Sequence, residues 1–175
     1  MDSMETVSLT DRGFLLRDAG ACVKVAFATP AIVRVRKFAG DTEPVSHLIR
    51  YGFFRDDWPP VGVQVDEQGD TVLAHSEIMT VAVERPTGRL TVSDGAGGEL
   101  LADHDPARVD SGGFQAGFVL PEKRRFFGLG DQTRERIEHR GTCGDLWGRN
   151  VSSYVPIPLL LTNDGFALLF NTTRR

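Results

Sequence analysis

The residues best equipped for chemistry are spread thinly. Asp103, His104 and Asp105 stand side by side and carry the donor types that hold a metal ion. Three adjacent residues on one loop cannot all turn toward one ion, and a metal site needs partners from elsewhere in the chain. The reading is therefore a solvated loop with no metal site. The other histidines, His47, His75 and His139, have no ligand spacing. Hydrolysis of a glycosidic bond needs two carboxylates roughly 5–9 Å apart. Asp56, Asp57, Asp131, Glu135 and Glu138 have the right chemistry, but nothing in their context singles out a pair. Gly128-Leu129-Gly130 opens like a dinucleotide fingerprint, yet Thr133 stands where the third glycine belongs and no βαβ context follows. No Gly-x-Ser-x-Gly elbow occurs. Asn150-Val151-Ser152 and Asn171-Thr172-Thr173 match the glycosylation pattern and are read as chance matches. No catalytic residue and no cofactor is assigned.

The elements that must position any site have a period of two. Val23, Val25 and Phe27 share one face opposite Lys24, and Val33 and Val35 alternate with Arg34 and Arg36. That pattern buries one face and wets the other. The same alternation recurs in Val61-Val63-Val65, in Met79-Val81-Val83, in Leu90 and Val92, and in Phe114, Ala116, Phe118 and Leu120. Turn residues separate these runs: Glu67 to Asp70, Pro86-Thr87-Gly88, and Asp94 to Gly98. Asn163-Asp164-Gly165 lies between two apolar runs, a hairpin signal, while Pro156 and Pro158 place the first of those strands at a sheet edge or start it late. Gln132 to Arg140 has Ile137 as its one large apolar residue, so it reads as a solvated loop or irregular strand rather than a helix. Gly40 to Pro44 and Asp103 to Gly113 read as the longest loops. The expectation is an all-β chain of about ten to twelve strands folded as a two-sheet antiparallel β-sandwich.

Composition narrows the function. The 175 residues suit one domain, and 41% hydrophobic with 25% charged residues is ordinary for a globular chain. A net charge of −4 argues against a nucleic-acid partner. No run reaches the roughly 18 apolar residues of a membrane span, so no membrane partner is expected. The polar start, Met1 to Asp11, lacks the features of a signal peptide, which points to the cytoplasm. Cys22 and Cys143 read as two unpaired thiols, with a single long-range disulfide as the alternative. The chain ends at Arg174 and Arg175 directly after an apolar strand, which reads as a sandwich cut before its last strands.

From Phe126 onward the sequence resembles a known family. Phe126-Phe127-Gly128-Leu129-Gly130-Asp131 is similar to the Tyr/Phe-Gly-Leu-Gly-Glu motif of glycoside hydrolase family 31, and His139-Arg140-Gly141 to the Lys/Arg-Gly step that follows it. Leu146-Trp147-Gly148-Arg149-Asn150 resembles that family's Leu-Trp-Asn-x-Asp segment. Pro156-Ile157-Pro158-Leu159 resembles its Ile-Pro-Phe strand, and Gly165 to Thr172 its Gly-Tyr/Phe-Gly-Ile-Phe-x-Asp-Asn strand. Before Phe126 the likeness is one of pattern, with Arg34-Val35-Arg36 where the family often has an Ile-Arg-Ile/Val strand.

The resemblance implies a galactose mutarotase-like β-sandwich, residues 1–175, that precedes a catalytic (β/α)8 barrel in a retaining α-glycosidase. Both catalytic aspartates would lie in the barrel, so this chain alone is expected to be inactive. The implied partners are its own barrel domain and, through the intact enzyme, an α-glycoside. The implied substrate contacts are Trp147, Arg149 and Asn150, on a loop that reaches the sugar pocket. Asn150 replaces the family's aspartate; it still hydrogen-bonds but lacks the charge that strengthens a bond to a hydroxyl. Arg149 adds a positive charge, which allows a modified or anionic sugar. Trp147 as a core anchor and Asn150 as a structural cap are the alternative roles. Two other functions fit less of the sequence. A non-catalytic carbohydrate-binding module would use an aromatic platform, for which Tyr51, Phe53, Phe54 and Trp58 are candidates. A free mutarotase-like epimerase would need a histidine–carboxylate pair in a cleft.

Overall fold

The structure is a computed structural model that describes residues 6–18, 21–110, 113–132, 136–144, 146 and 154–171. Trp147, Arg149, Asn150 and Glu135 lie outside the described residues. The chain is almost entirely strand. In order come β1 (Thr6–Thr10), β2 (Gly13–Asp18), β3 (Ala21–Thr29), β4 (Ile32–Ala39), the short helix α1 (His47–Arg50), β5 (Gln64–Gln68), β6 (Thr71–His75), β7 (Met79–Glu84), β8 (Leu90–Asp94), β9 (Glu99–Asp110), β10 (Gly113–Phe118), β11 (Phe126–Gln132), β12 (Tyr154–Thr162) and β13 (Ala167–Leu169). All pairings are antiparallel between sequence neighbours, in three sheets: β1-β2-β3-β4, β10-β9-β8-β7-β6-β5, and β11-β12-β13.

The chain forms two compact units, Met1–Pro44 with Arg55–Val119, and Val45–Phe54 with Leu120–Arg175. The first is a sandwich of the four- and six-stranded sheets. Phe14, Leu16, Val23, Val25 and Phe27 from one sheet meet Val72, Ala74, Val81, Val83, Leu90 and Val92 from the other in one buried cluster. These are the odd or even members of each alternating run, so the period-two pattern becomes the core directly. The all-β, antiparallel sandwich expected from the sequence is the fold observed.

Two local expectations are corrected. Residues 103–110 form the second half of β9 rather than a loop. Asp103 is 3% exposed because its carboxylate takes the Lys37 ammonium at 2.8 Å and the Leu90 amide at 3.0 Å, so a charge occupies an inward position fully partnered. β1 and β2 carry no clean alternation, since Leu15 follows Phe14 and precedes Leu16, yet Phe14 and Leu16 are core residues. β12, with Pro156 and Pro158, is the middle strand of its sheet and not an edge, and it starts at Tyr154, ahead of both prolines. On the β13 side the pairs are Leu159, Leu160 and Leu161, and the Phe170 amide donates to the Pro158 carbonyl at 2.9 Å, so the bond there uses the proline's acceptor and not its missing donor.

The second unit holds β11-β12-β13 and residues 45–54. Its hairpin turn is clamped by Arg124, whose Nε donates to Asp164 Oδ2 at 2.5 Å while the guanidinium lies 4.9 Å from the centre of the Phe166 ring. Arg125 N donates to Asn163 Oδ1 at 2.7 Å on the same turn. Val155, Ile157, Leu161 and Leu169 on this sheet remain exposed. Among the described residues no helix is long and apolar enough to cross a membrane.

Candidate functional site

The described part of the candidate site is the frame on either side of the Trp147–Asn150 segment. It begins at the Gly128-Leu129-Gly130 bulge of β11. All three residues have left-handed backbones, with φ of 100°, 62° and 82°. Gly128 pairs with Leu160 but Gly130 with Pro156, so Leu129 alone faces the bulged stretch of β12. A Cβ on Gly128 would come within 2.5 Å of the Leu159 carbonyl oxygen, and one on Gly130 would overlap the Val155 carbonyl oxygen and meet the Ile157 amide at 2.6 Å. The glycines of this motif are fixed by close backbone approach as well as by φ.

Residues 138–142 are fastened to that bulge. The His139 amide donates to the Phe126 carbonyl at 2.8 Å. Its Nε2 lies 3.0 Å from the Gly128 carbonyl oxygen, an acceptor, so Nε2 carries the proton. Glu138 Oε1 accepts from the Arg140 amide at 2.7 Å and the Phe126 amide at 3.4 Å. The Arg140 amide, with the Phe126 amide and nearby Arg125 and Arg136, holds the Glu138 carboxyl below the usual glutamate range against the opposing pull of partial burial. Arg140 in turn donates to the Pro121 and Arg124 carbonyls at 2.8 and 2.9 Å. Gly141, at φ 72°, turns the chain away toward Cys143 and Leu146. Glu138 Oε1 and the Arg140 guanidinium are thus committed to backbone groups, with Glu138 Oε2 accepting from Arg136 at 3.3 Å, and together they anchor the chain ahead of the segment that carries Trp147, Arg149 and Asn150.

The other candidate groups do not converge. Asp103 is buried, and the register of β9 on β10 shifts between Asp103 and Asp105, so the two aspartates do not share one environment. His104 and Asp105 are exposed and bonded to each other at 2.8 Å. That bond first, and the charge of His104 with it, lowers the Asp105 pKa. Asp56 is paired with Arg34 at 2.7 Å and Asp57 with Arg55 at 3.0 Å. His75 Nδ1 lies 2.9 Å from Thr80 Oγ1. Among the described residues no three metal-binding side chains cluster. Cys22 is buried, Cys143 exposed, and neither is in a disulfide. The four candidate aromatics differ: Tyr51 and Phe53 are exposed, whereas Phe54 and Trp58 are half-buried and Arg55 stacks 5.1 Å from the Trp58 ring centre.

A charge cluster went unread in the sequence. Glu43 accepts from Lys24 at 2.7 Å and from Arg36, with Arg34 at 3.7 Å. Lys24, Arg34 and Arg36 project from the same face of β3 and β4, since Lys24 pairs with Arg36 and Ala26 with Arg34. Three cations in register were the available signal that a carboxylate must come down on that face.

An antiparallel β-sandwich in the first unit, with the Gly-Leu-Gly bulge and the His-Arg-Gly return in the second, is consistent with a galactose mutarotase-like domain. Residues 22–175 match the profile described as the glycosyl hydrolase 31 N-terminal galactose mutarotase-like domain, and the chain belongs to that family. Among solved structures, a GH31 α-xylosidase from a soil metagenome, complexed with xylose, shares the fold with a TM-score of 0.76 at 18% identity, covering 95% of this chain and 28% of that one. A GH31 dextranase of Flavobacterium johnsoniae, complexed with glucose, gives 0.73 at 18% identity over 99% of this chain and 23% of its own. A GH31 α-xylosidase of Xanthomonas citri gives 0.63 at 18% identity over 95% and 18%. The chain thus spans between 18% and 28% of the length of these structures. A comparison with curated protein sequences finds no match.

Proposed function

We propose that this chain is the accessory N-terminal domain of a retaining α-glycosidase, which packs on a catalytic barrel and lends the Trp147–Ser152 loop to the substrate pocket. The observation that carries this reading is the family match over residues 22–175. The neighbours of the same fold support it, because in each the equivalent region is a small part of a much longer glycoside hydrolase. Exposed Val155, Ile157, Leu161 and Leu169 supply an apolar sheet face of the kind that a neighbouring domain covers.

In this reading the hydrolytic carboxylates belong to the barrel, and the present chain contributes binding. The rigid bulge at Gly128–Gly130 and the Glu138–Arg140 anchor set where the loop starts. Trp147 offers an apolar face to the sugar, and Asn150 donates to and accepts from its hydroxyls. Each well-made bond of this kind contributes about 0.5–1.5 kcal/mol. The test is kcat/KM on aryl α-glycosides for the intact protein and its Asn150→Ala variant. A loss of about tenfold is expected, since ~1.4 kcal/mol corresponds to one decade. An unchanged value would make the loop structural and remove Asn150 from the site.

A further inference from the structure

Residues 45–54 of the second unit build a small, tightly bonded knob. Ser46 caps α1, its Oγ accepting from the Leu48 amide at 3.2 Å and donating to Asn171 Oδ1 at 2.7 Å. The turn after the helix is closed by the amides of Tyr51 on His47, Gly52 on Ile49, and Phe53 and Phe54 both on Leu48, at 2.8–3.0 Å. Gly52 takes φ 75° with open space around it, which reverses the chain between the two aromatics. The result presents Tyr51 at 70% and Phe53 at 73% exposure, the two most exposed aromatic rings of the hydrophobic type among the described residues. Such a well-fixed backbone holding two large rings in water goes against the usual direction of burial.

We propose that Tyr51 and Phe53 form a stacking platform for the pyranose rings of an α-glucan chain, a second contact with carbohydrate outside the Trp147–Asn150 loop. The proposal rests on the reading of the protein as a glycosidase component. A pyranose carries a patch of C–H groups whose positive edge suits the negative face of an aromatic ring, as one ring edge suits another's face. Its hydroxyls need donors and acceptors at the rim. The Tyr51 hydroxyl and the exposed Arg50 supply them here, with the His47 ring 6.2 Å from that of Tyr51. The backbone bonds hold the rings in place before binding, which lowers the ordering cost. Area decides against a separate protein docking on these rings alone: two rings of ~200 Å² each, about 70% exposed, offer roughly 300 Å². A stable protein interface takes about 800 Å² from each side, whereas one or two sugar rings need no more than this patch.

The test is native gel electrophoresis of the intact protein through gels containing soluble dextran, and separately glycogen. Wild type is compared with Tyr51→Ala, Phe53→Ala, the double variant, and the conservative Tyr51→Phe and Phe53→Tyr. Retardation of wild type by at least one glucan is expected, about tenfold weaker in each alanine variant, lost in the double variant and kept in the conservative ones. Thermal midpoints and turnover of small aryl α-glycosides should not change. Equal migration of wild type and double variant in both gels overturns the proposal. So does a double variant that only becomes less self-associated on sizing, which would make the rings a protein contact. If ring-dependent retardation occurs without any aryl α-glycoside turnover, the glycosidase reading fails and the platform stands. Turnover without ring-dependent retardation overturns the platform and leaves the glycosidase reading in place.

Discussion

Lys24 and Glu43, 19 residues apart, are joined by a 2.7 Å charge-assisted hydrogen bond that ties the segment after β4 back onto β3. Partial burial pushes the Glu43 carboxyl up, but Lys24 and Arg36 together outweigh it and hold it below the ordinary glutamate value. A carboxyl with a lowered pKa in the folded state binds fewer protons than in the unfolded chain. Its stabilisation is therefore complete above the unfolded value, roughly pH 4.3, and disappears as pH falls through the lowered folded value. Glu43→Gln should cost about 1 kcal/mol at neutral pH, the upper range for partly exposed pairs. The thermal midpoint difference between wild type and variant should close as the pH is taken below about 4. A difference that persists undiminished into acid would show that Glu43 acts through shape rather than charge.

Arg124 is 5% exposed and holds the Asn163-Asp164-Gly165 turn through Asp164 and the Phe166 ring. Removing Asp164 leaves a guanidinium in place without its carboxylate, an expensive arrangement. Asp164→Ala should destabilise by about 2–3 kcal/mol, less than for a fully enclosed pair because the aspartate reaches water. Arg124→Met removes the charge along with the pair and should cost less than the sum of the two effects. A double-mutant cycle by urea denaturation should return a coupling of about 1–2 kcal/mol, and a coupling near zero would make the ion pair ornamental.

Glycine has two different reasons to be present along the motif, and substitution separates them. At Gly130 a methyl group meets the Val155 carbonyl and the Ile157 amide, and φ is 82°. At Gly141 φ is 72° but nothing lies within 4 Å of an added Cβ. Gly141→Ala should cost about 1 kcal/mol from the left-handed backbone alone. Gly130→Ala should cost more than about 3 kcal/mol or prevent folding, since two strands would have to part. Equal effects at both positions in denaturant titrations would contradict the register of β11 on β12.

The fold was legible wherever one strand face is uniformly apolar. Val23, Val25 and Phe27, or Val81 and Val83, announce both strand and core because nothing polar interrupts their side. It was not legible in β9, where Asp103-His104-Asp105-Pro106 looks like a loop. The partner that makes Asp103 acceptable inside is Lys37, 66 residues away, and no local pattern encodes it. The prolines of β12 misled for a related reason: the Pro158 carbonyl, which any residue would offer, takes the bond from Phe170, and the missing donor is not called on there. Motif order, rather than chemistry, pointed to the frame that precedes the candidate site. Glu138 and Arg140 resemble catalytic groups by type, yet the structure spends them on backbone amides and carbonyls.

On the proposed placement, the charge of the loop bears on which sugar the protein accepts. The family segment Leu-Trp-Asn-x-Asp ends in a carboxylate, and this chain places Arg149-Asn150 there. A carboxylate accepts a hydroxyl's hydrogen bond more strongly than an amide does, by roughly a factor of two in energy. It also repels an anionic substituent that a guanidinium would attract. On the proposed placement, Asn150→Asp should raise kcat/KM on neutral aryl α-glucosides or α-xylosides by several-fold and lower it on aryl α-glucuronides. Arg149→Met should leave the neutral substrates within about twofold and reduce turnover of the acidic one by about tenfold, the worth of one charge-assisted bond. The measurement is kcat/KM for the intact protein and both variants across neutral and acidic aryl α-glycosides. Parallel changes on all substrates would mean that the loop positions the sugar without reading its charge. A gain on the acidic substrate from Asn150→Asp would overturn the electrostatic assignment altogether.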